Sequence, residues 1–181
     1  MEETIPQTLP RGQLKQEALT ALRTSINTLI PSDSYLILQY GSSLFGSETK
    51  ESDFDIIILC SYNTLASYQK RAANKAWASI RDMFLFEDML SILQREYSFE
   101  VLKVFEVKNA KVPILKIKYR DQLNLDVSLG IVNNEIIDAS LPISMMNPHD
   151  QETESVIQAV LICQEIQRQV QQAELPLDLF S

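Results

Sequence analysis

Apolar and polar positions divide the 181-residue chain into a helical start, a strand-rich middle and a helical end. From Gln13 to Ile30, Leu14, Ala18, Leu19, Leu22, Ile26, Leu29 and Ile30 recur at the spacing of one helix face, and Pro31-Ser32-Asp33-Ser34 stops it. Tyr35 to Tyr40 predicts a strand, and Phe54 to Cys60 a second, more buried one. Ser61 to Tyr97 keeps a helical period through 37 residues without glycine or proline, which predicts two helices with a break near Met83 to Phe86. Trp77, Phe84 and Phe86 are assigned to packing there. Phe99 to Val107, with Phe99, Val101, Val104, Phe105 and Val107 as its apolar set, Val112 to Tyr119 and Leu123 to Leu129 predict three more strands. Asn109-Ala110-Lys111 and Arg120-Asp121-Gln122 join them. Beyond the loop from Leu141-Pro142 to Pro148, an amphipathic helix runs from about Gln151 to Gln172, striped with Val156, Val160, Cys163, Ile166 and Val170. The class is α+β: a mixed or antiparallel sheet of about five strands, helices packed on one face, and a C-terminal helix. Residues 1–12 read as a disordered lead-in, 13–140 as the main domain, and 141–181 as a loop and helix packing on it.

Composition narrows the class. With 45% apolar residues and four glycines the chain is globular, and its size allows a sizeable core. Twenty-four acids against 16 bases give a formal charge of -8, which argues against a surface that coats nucleic acid generally. A local basic groove is compatible with it: Lys103, Lys108, Lys111, Lys116, Lys118 and Arg120 face one acid, Glu106, within residues 103–120. That stretch reads either as a solvated face or as a guide for a nucleic-acid backbone. Cys60 and Cys163 lack metal-ligand spacing and lie in apolar stretches, so the setting is expected to be a reducing, intracellular one, the cytoplasm. The start MEETIPQTLPRG resembles no leader, and no apolar run approaches ~18 residues, so no membrane partner is expected.

Candidate chemistry concentrates between Tyr40 and Leu59. Asp53 and Asp55 open an apolar strand, and alternate side chains on a strand share a face, roughly 7 Å apart. Two carboxylates so held suit a hard divalent cation with oxygen ligands, Mg²⁺ above all. Upstream, Gly41-Ser42 ends the first strand, where glycine admits close approach of a bulky anion to the backbone. A helix beginning there would add free N–H groups for phosphate. An Asp-x-Asp pair alone is an ordinary strand head, and Gly-Ser alone an ordinary turn. Gly41-Ser42, Gly46 and Ser52-Asp53-Phe54-Asp55 together follow the spacing G-S-x3-G-x5-S-D-x-D.

That arrangement resembles the signature of the polymerase beta-type nucleotidyltransferase superfamily. Asn109-Ala110-Lys111-Val112-Pro113-Ile114-Leu115-Lys116, followed by Leu125-Asp126-Val127-Ser128-Leu129, is similar to the "A-R-V-P-I-I-K... D-I-S" segment of its noncanonical poly(A) polymerase and terminal uridylyltransferase branch. Lys111 stands where that branch usually has arginine. The resemblance implies a catalytic palm domain over 13–140, with Asp126 as a third carboxylate beside Asp53 and Asp55. It implies two Mg²⁺ ions, with Mn²⁺ as the substitute, held by Asp53, Asp55 and Asp126. Gly41 and Ser42 are the phosphate-binding candidates; Ser52 is a further candidate, or a brace for the turn. Lys111, Lys116 and Lys118 are candidate RNA contacts. His149, the single histidine, lies in the Asn147-Pro148-His149-Asp150 turn and is assigned no chemistry.

The implied reaction is transfer of UMP or AMP from a nucleoside triphosphate to an RNA 3′ hydroxyl. Fifty-five residues follow Asp126, where relatives continue into a helical domain, so a protein partner supplying that domain is expected. Two other readings stay open: a minimal nucleotidyltransferase that modifies a protein, as antitoxin-type members do, and a non-catalytic scaffold of the same fold.

Overall fold

The computed structural model describes residues 9–40, 54–71, 84–98, 101–107, 114–137 and 140–179. Five strands form one mixed sheet: β1 Tyr35–Tyr40, β2 Phe54–Ser61, β3 Leu102–Val107, β4 Ile114–Tyr119 and β5 Leu123–Val132, in the order β1-β2-β5-β4-β3. β2 and β5 run parallel at the centre, and the other neighbours are antiparallel. A parallel pair needs a long crossover. Here it contains α2 Tyr62–Arg71, α3 Phe84–Glu96 and the β3–β4 pair.

The central strands are apolar on nearly every residue because both sheet faces are covered. On one face lie Phe54, Ile56, Ile58 and Cys60 of β2 and Leu125, Val127, Leu129 and Ile131 of β5. α1, Arg11–Asn27, packs there through Leu14, Ala18, Ala21, Leu22 and Ile26, whose spacing makes one helical stripe, and α3 adds Met89 and Leu93. Each large side chain removed from water there contributes roughly 1.5–3 kcal/mol. Burial also pushes the Cys60 thiol up.

The second face is smaller and covered at one end. α4, Gln151–Leu179, sets Ile157 and Val160 against Ile57, Leu59 and Val132, and a 3-10 turn at Ile143–Met145 brings in Ile143 and Met146. Gly130 makes this approach possible: a Cβ there would lie 2.5 Å from Leu59 Cδ2 and 2.9 Å from Ile57 Cδ1. Beneath it, the buried Thr153 hydroxyl accepts the Ile131 N–H at 2.9 Å.

The elements follow the sequence pattern with differences at their ends. α1 starts two residues early and stops at Asn27; β5 continues through Gly130 to Val132; α4 continues to Leu179. In β3 the alternation changes phase. Leu102 and Val104 point into the core, while Phe105 is 53% exposed on the opposite face, because successive strand residues cannot both face inward. Residues 72–83, which include Trp77, and the Asn109-Ala110-Lys111 connection lie outside the described residues.

The β4–β5 turn is tight. Arg120 and Asp121 have φ of 52° and 54°, and the Gln122 N–H donates to the Tyr119 carbonyl at 3.1 Å. Consecutive positive φ values match the right-handed twist of the flanking strands. Among the described residues no helix is long and apolar enough to cross a membrane.

Candidate active site

Asp55 is the second residue of β2 and Asp126 the fourth of β5, and they are register partners across the parallel pair. Register partners project from the same face, and neighbouring strands lie ~4.8 Å apart. Phe54 and Leu125, one residue earlier on each strand, point the other way into the main core with no exposed surface. The core therefore fixes the direction of both carboxylates.

The row extends in both directions. Tyr40, at the end of β1, pairs with Asp55; Lys116 of β4 pairs with Asp126; Phe105 of β3 pairs with Lys116. Tyr40, Asp55, Asp126, Lys116 and Phe105 thus cross all five strands on one face. α4 covers that face further along, where Ile57 and Leu59 lie.

Electrostatics within the row are tight. The Lys116 ammonium stands 3.8 Å from Asp126 Oδ1, and the Asp126 side chain keeps 23% of its surface. Burial raises the Tyr40 phenol above its usual range, its hydrogen bond with Ser128 lowers it, and the charges of Asp55 and Asp126 raise it again. The phenol is protonated at neutral pH and reaches toward the acids. Ser128, two residues along β5 on the same face, donates to the Ile56 carbonyl at 3.5 Å.

Of the three carboxylates, the structure brings Asp55 and Asp126 together; Asp53 lies outside the described residues. Gly41, Ser42, Ser52 and Lys111 also lie outside them. Lys118 pairs with Asn124 and with Lys103, on the face that carries Lys116. Lys103 also bonds Asp121 at 3.0 Å, whereas Arg120 turns away to Glu17 of α1. His149 belongs elsewhere. Its ring stacks on Tyr62 at 4.3 Å and its Nδ1 meets Asn133 Oδ1 at 2.8 Å. Tyr62 follows the far end of β2, about 20 Å along the strand from Asp55.

Two half-buried carboxylates side by side, with the Lys116 ammonium in reach, supply hard oxygen donors for a divalent cation. Among the described residues no three acidic, histidine or cysteine side chains cluster as a ligand set. Tyr40 and Phe105 were not among the candidates drawn from the sequence. Both look there like members of apolar runs, and only the strand register puts them in one row with the acids.

Residues 2–141 match the family described as poly(A) RNA polymerase, mitochondrial-like, central palm domain. No curated protein matches the chain. Among solved structures, terminal uridylyl transferase 4 from Trypanosoma brucei with bound UTP and UMP is 14% identical, with a TM-score of 0.46 over 63% of this chain and 34% of that one. Cid1 in complex with its short product ApU is 17% identical, with a TM-score of 0.39 over 67% of this chain and 30% of that one. The GLD-2/RNP-8 complex is 22% identical, with a TM-score of 0.44 over 69% of this chain and 42% of the matched chain. The chain thus spans 34%, 30% and 42% of these proteins' lengths.

Proposed function

This chain belongs to the family of mitochondrial-like poly(A) RNA polymerase central palm domains, and on that premise we propose that it transfers UMP or AMP from a nucleoside triphosphate to an RNA 3′ hydroxyl. The observation that carries this reading is the register pairing of Asp55 with Asp126. The family's description favours AMP, and competition among the four triphosphates decides the base.

In the proposed reaction the 3′ oxygen attacks the α-phosphorus, a new P–O ester forms, and the α–β P–O bond breaks to release pyrophosphate. The hydroxyl proton passes to a carboxylate of the acid row or to water. Asp55 and Asp126, with Asp53, would hold Mg²⁺, or Mn²⁺ in its place. When bound, the metal lowers the pKa of the attacking hydroxyl and neutralises charge on the triphosphate. The protein supplies position: the core behind Phe54 and Leu125 fixes the acids, and in-line transfer depends on placement more than on a protein nucleophile. Gly41 and Ser42 are the proposed phosphate contacts. Lys116 and Lys118 are proposed to meet the RNA backbone, as is Lys111.

The test is transfer of labelled nucleotide to RNA in Mg²⁺, alone and with candidate protein acceptors present. Asp55→Asn and Asp126→Asn are each expected to reduce RNA labelling to background while leaving the fold intact by circular dichroism. Undiminished RNA labelling in either variant, or label found only on protein, would refute the reading.

A further inference from the structure

We propose that Phe105 is a stacking platform for a base near the 3′ end of the acceptor RNA, an inference that rests on the function proposed above. Phe105 is 53% exposed, although it lies within a regular strand whose inward positions, Leu102 and Val104, already face the core. Held outward, the ring keeps about half of its surface in water and stays outside the core that Leu102 and Val104 join. Among the described residues the other large exposed apolar side chains are Ile136, Met145, Ile162, Ile166 and Val170, none aromatic and none on a sheet strand.

Position identifies the occupant. Along the row the order is carboxylates, Lys116, then Phe105, each on the next strand. Two strand spacings, roughly 10 Å, separate Asp126 from Phe105, the reach of a nucleotide or two. A 3′ hydroxyl at the acids would place its upstream phosphate near the Lys116 ammonium and a base over the Phe105 ring. Lys103 and Lys118 are register partners on this same face, so with Lys116 three ammonium groups flank the ring in a chain of net charge -8, Lys103 bonded to Asp121 and Lys116 facing Asp126. Lysines beside an exposed aromatic ring on a strand face are the chemistry that takes single-stranded nucleic acid. A phenyl ring offers no hydrogen bond, so the platform accepts any base and holds the acceptor; it does not select the incoming nucleotide.

The experiment is steady-state kinetics with a short oligo(A) acceptor, together with fluorescence anisotropy of RNA binding. Phe105→Ala is expected to raise the acceptor KM about tenfold, within the range for one stacked base. The nucleotide KM should stay unchanged and the fold intact by circular dichroism, since the side chain lies outside the core. Phe105→Trp is expected to keep acceptor affinity and to show indole fluorescence quenched by RNA. An abasic residue scanned over the last few nucleotides should weaken the wild type at one position by the same factor, and cost Phe105→Ala nothing more there.

Wild-type transfer with an unchanged acceptor KM in Phe105→Ala overturns the platform and leaves the reaction standing, as do abasic acceptors that weaken both proteins equally. Binding of oligo(A) without transfer refutes the reaction, and the same anisotropy series then judges Phe105 alone. Absence of RNA binding in the wild type overturns both.

Discussion

Glu17 links the first helix to the β4–β5 turn: its Oε2 accepts the Tyr119 hydroxyl at 2.9 Å and Arg120 Nε at 3.3 Å. The Tyr119 hydrogen bond, followed by smaller contributions from Gln13 and Arg120, outweighs desolvation and lowers the carboxyl below its usual 4.5. A carboxyl whose folded pKa is depressed adds stability above the unfolded value and loses it as pH falls through the folded one. Glu17→Gln is therefore expected to cost about 0.5–1 kcal/mol at pH 7, the scale of an exposed ion pair. Chemical melts should show that gap closing as pH falls through the lowered carboxyl range; a gap that is constant with pH would assign the loss to shape and not to charge. Neither Tyr119 nor Arg120 was legible as a partner of Glu17 in the sequence, since they lie 102 and 103 residues from it. Tyr40 was hidden for a related reason. Its place opposite Asp55 depends on how β1 and β2 align, and alternation gives a strand's faces but not its register.

At the scale of elements, Gly130 is where a small change should be felt most. Adding a methyl group there forces Leu59 and Ile57, both essentially without exposed surface, into a packed layer beneath α4. Gly130→Ala is expected to destabilise the protein by roughly 1–3 kcal/mol in urea melts. A neutral result would mean the two side chains re-pack freely. The elements themselves were mostly legible: strands from alternation, helices from period, the β4–β5 connection from its polar residues. The phase change at Phe105 was not, because Val104 and Phe105 are both apolar and only packing chooses which one turns inward. The run of β5 into Gly130 was missed because glycine argues against a strand interior until the helix above it is known. That Asp126 lies beside Asp55 came from family resemblance; alternation alone showed only that Asp126 faces away from the apolar set.

For the whole molecule, the sheet separates stability from chemistry. One face is filled by α1 and α3, and the other is shared between α4 at one end and the acid row at the other. A divalent cation bound by folded protein alone stabilises it by mass action. Mg²⁺ or Mn²⁺ at tenfold its dissociation constant is expected to raise the melting temperature by roughly 3–5 °C. Asp126→Asn should abolish that shift, and an equal shift in the variant would place the ion elsewhere. The parallel pairing of β2 with β5 carries a consequence for biogenesis. During synthesis Asp55 leaves the ribosome long before Asp126, and the crossover must be made before the two strands can zip together. A nascent or prematurely terminated polypeptide lacking β5 holds only half of the carboxylate pair, so partial products are expected to be inert and catalytic competence to appear only with the completed sheet.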